Sequence, residues 1–229
     1  MAMLTSDGAF EILDLSHPIE VGMQTHPGLP SPKAEVLIDY ETSRKKYDDQ
    51  AEFLIAAFWL CGNTGTYLDA PIHRHRGAPD LADLSLTRLT HVPIALVDVP
   101  SDVHRGIDAR VLRGLTLKGK AVIFRTGWSR HWRSPAYFGP NPHLTRDTCS
   151  ALVDQGVALA GIDSVNIDDM GDLARPAHTI LLGAGISICE HLTGLEALQG
   201  HREFLHAAPV AWKGGATFPV RAYALRAVP

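Results

Sequence analysis

The chain lacks the features that mark secreted, membrane-spanning or nucleic-acid-binding proteins. Its three cysteines, Cys61, Cys149 and Cys189, are odd in number and widely spaced, so neither a disulfide framework nor a paired-cysteine metal site is predicted. No segment approaches the roughly 18 apolar residues that a membrane span needs, and the N-terminal segment shows no secretory leader pattern. The formal charge of -4 lacks the basic excess that nucleic-acid partners require. We therefore expect a soluble cytoplasmic protein without a nucleic-acid or membrane partner.

Length and composition favour one globular domain. With 229 residues, of which 45% are hydrophobic and 20% charged, the chain can bury one sizeable core. No Ser/Gly-rich linker, repeat or long charge run divides it, so a single domain over residues 1–229 is predicted. Apolar runs separated by Gly, Pro and Asp predict strands, and several are continuous, which indicates strands covered on both faces. The runs are Glu11–Leu15, Ala34–Ile38, Phe53–Leu60, Ile94–Val99, Ala121–Arg125 and Leu159–Ile162.

Helical patterns occur between these strands. The clearest covers Thr145–Gln155, with Asp147 in its first turn and Gly156 directly after its end. A second helix is predicted over Leu192–Leu198 and a short helical turn over Ser85–Leu89. This mixture of strands and helices predicts the α/β class.

The segment Asn63–His75, NTGTYLDAPIHRH, contains a carboxylate and an imidazole close in sequence. Gly65 permits a tight turn and Pro71 fixes the backbone φ angle, so the side chains of Asp69 and His73 can converge on one point. Convergence of this kind is what a metal ion needs. The residues alone also fit a capping aspartate and a structural histidine, and that alternative stays open.

A second segment, Arg175–Leu195, supplies His178 and Glu190, twelve positions apart. Imidazole nitrogen and carboxylate oxygen suit Zn²⁺ or Mn²⁺, and the absence of thiolates argues against a closed structural zinc site. On spacing alone, it is equally open that Glu190 caps a following helix and that His178 is incidental.

An acidic loop precedes this segment and contains Asp163, Asp168 and Asp169. It lacks the glycine and closing glutamate of an EF-hand loop. We predict instead that these carboxylates cap the loop and orient Arg175 or His178.

The first segment resembles the signature of the putative cyclase family, His-x-Gly-Thr-His-x-Asp-x-Pro-x-His, whose members include bacterial kynurenine formamidases and isatin hydrolases. The segment Asp14–Pro30 resembles the family's opening strand and Pro-Gly turn, and His178 with Glu190 matches its distal ligand pair. The likeness covers nearly the whole chain. It implies a swivelling β/β/α domain, a mixed sheet with a barrel-like portion flanked by helices, assembled as a homodimer or homotetramer. The matching signature positions are Asn63, Gly65, Thr66, Tyr67, Asp69, Pro71 and His73.

The chain departs from the family signature at Asn63 and Tyr67, which stand where the family has two histidines. In two-metal members, those histidines and the aspartate hold the first ion. The resemblance therefore implies that one divalent metal, Zn or Mn, is retained. Its implied ligands are Asp69, His73, His178 and Glu190.

The resemblance implies an arylformamidase-like hydrolase, in which metal-activated water attacks the carbonyl of a small aryl or cyclic amide. Among specific substrates, the resemblance points first to N-formylkynurenine, an intermediate of tryptophan catabolism. His73 inherits the family's acid/base role, but a ligand nitrogen cannot also be a free base, so His75 is an alternative. The Tyr67 hydroxyl either donates to the developing oxyanion or only fills the vacated volume.

His26 stands where the family's substrate pocket has an aromatic residue, ahead of a Pro-Gly turn. Trp59 and Trp128 are candidates for a wall that stacks on an aryl ring, as are Trp132 and Phe138. Two other functions stay open: a non-catalytic member that binds a metabolite or serves a structural role, and a hydrolase of lactone or isatin-type rings.

Overall fold

A ten-stranded mixed sheet dominates the computed structural model, which describes residues 4–5, 8–99 and 105–227. The predicted single domain also includes residues 1–3, 6–7, 100–104 and 228–229, which lie outside the described residues. The strands are β1 (Leu4–Thr5), β2 (Gly8–Asp14), β3 (Lys33–Ile38), β4 (Ile55–Trp59), β5 (Tyr67–Asp69), β6 (Val92–Asp98), β7 (Gly106–Ile107), β8 (Ala121–Arg125), β9 (His143–Leu144), β10 (Leu159–Ile162), β11 (Ser187–Glu190), β12 (Glu203–His206), β13 (Thr217–Pro219) and β14 (Tyr223–Ala227).

The helices are few and short. The α-helices are α1 (Tyr40–Lys46), α2 (Arg146–Asp154) and α3 (Pro176–Gly183). The 3₁₀ segments are Pro71–His73, Leu81–Asp83, Leu86–Arg88, Ala109–Leu112, Trp128–His131, Pro135–Phe138 and Leu195–Ala197. Within the described ranges, none of these helices has the length and apolar character of a membrane span.

The strand order of the main sheet is β1-β2-β14-β12-β6-β8-β10-β11-β5-β13. Its centre, β6-β8-β10-β11, is parallel, whereas the strands on both sides pair antiparallel. The sheet curls into a half-barrel, and two small sheets, β3-β4 and β7-β9, stand beside it. This mixed, curled sheet with few helices confirms the predicted fold class.

The central strands are buried on both faces, which explains their continuous apolar sequences. Along β8, Ala121 and Ile123 belong to one hydrophobic core, whereas Val122 and Phe124 belong to the other. Side chains of α2 and α3, among them Leu152 and Leu181, complete the second core. The sheet therefore separates two cores, and α2 and α3 cover the face that carries the second one.

The predicted helix over Leu192–Leu198 is wrong, since only Leu195–Ala197 forms one 3₁₀ turn. Gly194 has a φ of 66°, in the left-handed region, which interrupts a right-handed helix within this segment. The N–H groups of Ala197 and Leu198 donate to carbonyls three residues back, at Gly194 and Leu195, as in a 3₁₀ turn, and not four residues back as in an α-helix. The six predicted strands, the helix near Thr145–Gln155 and the short turn near Ser85–Leu89 are confirmed.

Candidate metal centre

The pairing of β5 with β11 brings two carboxylates to one face of the sheet. Tyr67 lies opposite Glu190 and Asp69 lies opposite Ile188 in this antiparallel pair. Side chains two residues apart on a strand share a face, as do directly opposed residues. Tyr67, Asp69 and Glu190 therefore project to the same side, and all three are buried.

His178 reaches this face from the first turn of α3, and Asp168 fixes its orientation. One oxygen of Asp168 accepts hydrogen bonds from the ring Nδ1 of His178 at 2.6 Å and from its backbone N–H at 3.1 Å. The other accepts the N–H of Ala177 at 2.6 Å. The predicted orienting role of Asp168 is thus confirmed. A proton held on Nδ1 leaves the Nε2 lone pair for a metal ion, as is usual for histidine ligands.

The environment of the Asp69 carboxylate is the one expected for a metal ligand. Its side chain is fully buried, yet neither carboxylate oxygen has a hydrogen-bond partner, which would be costly without a compensating positive charge. His178 Nε2 lies 3.6 Å from Asp69 Oδ2, which is too far for a hydrogen bond. One ligand atom each from Asp69, His73 and His178 lies within 4.8 Å of the others. These residues therefore fit a divalent cation.

The electrostatics of the centre agree with a site for positive charge. Burial opposes the charged form of His178, but the hydrogen bond to Asp168 and the nearby negative charges of Asp69 and Glu190 prevail and raise its pKa to about 10. Burial raises the pKa of Glu190. At His73, which is exposed at the rim, partial desolvation lowers the pKa although Asp69 opposes the shift. The buried carboxylates therefore favour positive charge at this site, whether a proton or a metal cation supplies it.

Glu190 is held from two sides. Its Oε1 accepts the N–H of Ile167 at 2.6 Å and lies 3.9 Å from His178 Nε2. Its Oε2 accepts a short hydrogen bond from the Tyr67 hydroxyl. Each carboxylate oxygen has two lone pairs, so Oε1 can still bind a metal. Glu190 ends a strand and does not cap a helix, which excludes that alternative.

The Tyr67 hydroxyl donates its proton to Glu190, so in this arrangement the proton is not available to a developing oxyanion. Burial raises the pKa of Tyr67 well above its usual value, and the nearby charges of Glu190 and Asp69 add to this shift. The phenol therefore stays protonated and is a poor metal ligand. Asn63 lies beside it and accepts a hydrogen bond from Thr217 Oγ1 at 3.1 Å.

We call Asp69, His73, His178 and Glu190 the metal-ligand cluster. A cavity of about 520 Å³ opens onto this cluster at His73 and His178, and its volume suits a small molecule. His26, predicted at the pocket, lies in its wall beside the Pro27-Gly28 turn. The lining is formed by His26, Pro27, Gly28, Leu29, Asn63, Tyr67, His73, Arg74, Asn166, Arg175 and His178.

The predicted wall residues Trp59, Trp128, Trp132 and Phe138 and the alternative base His75 are not among the described residues that line this cavity. Trp59 lies half-exposed on β4 with the Lys33 ammonium 5.5 Å from its ring centre. Trp128 donates its ring N–H to the carbonyl of Tyr137 at 3.0 Å. His75 has Nε2 2.9 Å from the carbonyl of Thr179, which fixes that nitrogen as a donor. A wall role for the tryptophans and a base role for His75 therefore lack support in this arrangement.

Three lining residues were absent from the predicted site: Arg74, Asn166 and Arg175. Arg74 follows His73 directly, and Arg175 lies three residues before His178. This proximity in sequence to predicted ligands is the signal that could have identified both arginines as site residues. Asn166 lies in the acidic loop that positions Asp168, whose backbone N–H donates to Asn166 Oδ1 at 2.9 Å.

Comparisons with known proteins agree with this fold and site. The family model described as Putative cyclase matches residues 13–169. A kynurenine formamidase from Bacillus cereus is 28% identical over 213 residues, which cover 93% of this chain and 96% of that protein. These relatives confirm the prediction of a hydrolase.

Solved structures share the fold. An isatin hydrolase bound to thioisatinate, a product analogue, has a TM-score of 0.80 at 20% identity, covering 96% of this chain and 93% of that one. A protein described as a predicted metal-dependent hydrolase, from Bacillus stearothermophilus, has a TM-score of 0.76 at 25% identity, covering 95% and 98%. The chain therefore belongs to the putative cyclase family.

Proposed function

We propose that this protein is a metal-dependent hydrolase of small aryl or cyclic amides, with N-formylkynurenine as its best specific substrate. One observation carries the proposal: both oxygens of Asp69 are buried without a hydrogen-bond partner, beside His178, which lines an open cavity. The kynurenine formamidase relatives support the substrate class, and such an activity belongs to tryptophan catabolism.

One divalent ion, Zn²⁺ or Mn²⁺, fits the donor set of carboxylate oxygen and imidazole nitrogen. Asp69 and His178 form the centre of this set, and His73 and Glu190 complete it. A bound ion of this kind lowers the pKa of water and polarises a carbonyl group. Tyr67 and Asn63 add no further ligand, because the phenol keeps its proton and the amide offers only a neutral oxygen.

The chain's own residues prepare the site in distinct ways. Asp168 holds the His178 ring so that Nε2 faces Asp69 and Glu190. Tyr67 and the backbone of Ile167 fix Glu190, which limits its rotation. Such preorganisation keeps the site from reorganising during the reaction.

His73 is the residue proposed to move protons during the reaction. It lines the cavity, is exposed at its rim, and its lowered pKa keeps the ring neutral near pH 7. Its position in the ligand cluster also supports a role in metal binding. In His73→Ala, loss of turnover with full metal content identifies a base, whereas loss of the metal identifies a ligand.

Hydrolysis assays test the proposal directly. Protein loaded with Zn²⁺ or Mn²⁺ is assayed with N-formylkynurenine, isatin and simple lactones, and the same protein depleted by chelation is the control. We expect metal-dependent turnover, fastest with N-formylkynurenine. Preference for isatin or a lactone would support a ring hydrolase, and metal binding without turnover of any of the three would support a non-catalytic member.

We further propose that the chain forms a homodimer or homotetramer. The two-stranded sheet of β3 and β4 exposes a group of large apolar side chains, an arrangement that is often covered by a partner. Light scattering on the purified protein measures the assembly. The members of this group are Val36, Leu37, Ile55, Phe58 and Trp59. The cytoplasmic location stays a prediction.

A further inference from the structure

Two arginine side chains line the cavity that opens onto the metal-ligand cluster. Arg175 precedes α3, the helix that carries His178, and Arg74 directly follows His73. Both guanidinium groups keep their positive charge at any pH at which the protein is folded. Any ligand in the cavity therefore meets two fixed cations in addition to the metal-ligand cluster.

The hydrogen bonds of both arginines go to neutral groups. Arg175 donates to the side-chain oxygen of Asn166 at 3.1 Å. Arg74 donates to the hydroxyl of Thr179 and to the carbonyl of Ala174, both at 3.0 Å. Across the ranges that the structure covers, no ion pair joins either guanidinium to a carboxylate. Neither guanidinium is therefore paired directly with a carboxylate within the described protein.

The backbone at Arg175 is strained, as is often observed for residues at ligand-binding sites. Its φ of 44° and ψ of 62° lie in the left-handed region, which costs a side-chain-bearing residue about 1 kcal/mol or more. The following Pro176 disfavours the ordinary helical conformation at this position. Strain of this kind persists where the surrounding structure holds a residue in a fixed place.

Asn166 connects Arg175 to the metal-ligand cluster. Its Oδ1 accepts from Arg175 and also from the backbone N–H of Asp168. Asp168 in turn holds the ring of His178. The position of the guanidinium is therefore set relative to the proposed metal ligand through three hydrogen bonds.

From this arrangement we propose that Arg175, with the help of Arg74, binds a carboxylate of the substrate while the scissile amide lies at the metal-ligand cluster. The inference rests on the proposed hydrolase function and deepens it. Guanidinium donors match carboxylate oxygens in geometry and charge, and no reacting bond is involved in this contact. The chemical class is an aryl amide with a free carboxylate on its ring or side chain.

The kinetic test compares 2-formamidobenzoate with its methyl ester, which has the same scissile formamide but no negative charge. We expect the metal-loaded protein to prefer the carboxylate by about tenfold or more in kcat/KM. In Arg175→Gln this ratio falls toward one, Arg175→Lys retains part of it, and Arg74→Gln lowers it less. Arg76→Gln is the matched control, because Arg76 is exposed and does not line the cavity, and it leaves the ratio unchanged.

A binding measurement keeps the inference testable if neither compound is hydrolysed. Calorimetry measures the affinity of 2-aminobenzoate and of its methyl ester for the Asp69→Ala variant, whose metal centre is broken, so that binding by the arginines is measured alone. We expect the carboxylate to bind more tightly than the ester, and Arg175→Gln in the same background to remove the difference.

The outcomes separate the two proposals. Hydrolysis of both compounds at equal kcat/KM overturns the carboxylate inference and leaves the hydrolase proposal intact. A preference that survives in Arg175→Gln and in Arg74→Gln also overturns it, because another group then binds the charge. If neither compound is hydrolysed but the carboxylate binds more tightly than its ester, the carboxylate inference is supported and the proposed formamide hydrolase activity is contradicted.

Discussion

Replacement of Asp168 by asparagine tests how the metal centre is oriented. Three N–H donors converge on this carboxylate: the backbone groups of Ala177 and His178 and the ring Nδ1 of His178. Asparagine keeps the size but replaces one oxygen with an NH₂ group, which is itself a donor. Whichever way the amide turns, at least one buried donor then faces another donor.

The consequence for the metal follows from the His178 ring. If the NH₂ group faces Nδ1, that nitrogen must accept, and the ring proton moves to Nε2, the atom that faces Asp69. A protonated Nε2 cannot bind a metal. Loss of such an orienting partner typically lowers metal affinity by about 10- to 100-fold, or roughly 1.4–2.7 kcal/mol.

The assay is competition for Zn²⁺ against a chromophoric chelator, with wild-type, Asp168→Asn and Asp169→Asn proteins. Asp169 is the matched control because it is exposed and, among the described residues, its side chain accepts only the nearby backbone N–H of Gly171. We expect weaker binding by Asp168→Asn only. Equal affinity of all three proteins would refute the orienting role of Asp168.

Two further predictions concern stability. Leu159→Ala removes a fully buried side chain of β10 and should lower the free energy of unfolding by about 2–5 kcal/mol in urea titrations. The control Leu173→Ala, at a position 90% exposed, should change this free energy by less than about 0.5 kcal/mol. Equal effects of the two substitutions would contradict the core assignment. Burial, with a smaller contribution from Arg133, lowers the pKa of His17 to about 4, so the folded state resists its protonation. The stabilisation from neutral His17 should therefore be complete above pH 6.5 and fall by on the order of 1–3 kcal/mol as the pH drops toward 4. The variant His17→Phe keeps a flat ring against Trp132 and has no group to protonate. Its free energy of unfolding, measured across this pH range, should therefore depend less on pH.

The central strands could be predicted from the sequence because their burial leaves a local signal. In β8 and β10 nearly every side chain is buried, so the apolar runs are continuous and their limits are sharp. Helix α3 was missed because its sequence is apolar on most sides, and Pro176 and Gly183 at its ends resemble loop residues. A helix of this kind has no polar face that reveals its period.

The site was only partly predictable for a different reason. The signature stretch around Asp69 gives local spacing, but the contact of Tyr67 with Glu190 joins residues 123 positions apart and depends on the register of β5 against β11. The predicted tryptophan wall at Trp59 and Trp128 illustrates the same difficulty. Aromatic character is visible in the sequence, whereas the direction in which a hairpin or loop carries it is not.

The most direct test of the central claim is the metal content of the purified protein. Protein prepared without chelator, or depleted and then dialysed against Zn²⁺ or Mn²⁺, is analysed by mass spectrometry of the metal, beside the double variant Asp69→Ala/His178→Ala. Circular dichroism checks that both proteins are folded. We predict about one equivalent per chain in the wild type and none in the variant. Absence of metal from both proteins, or equal metal in both, would contradict a single site built on Asp69 and His178.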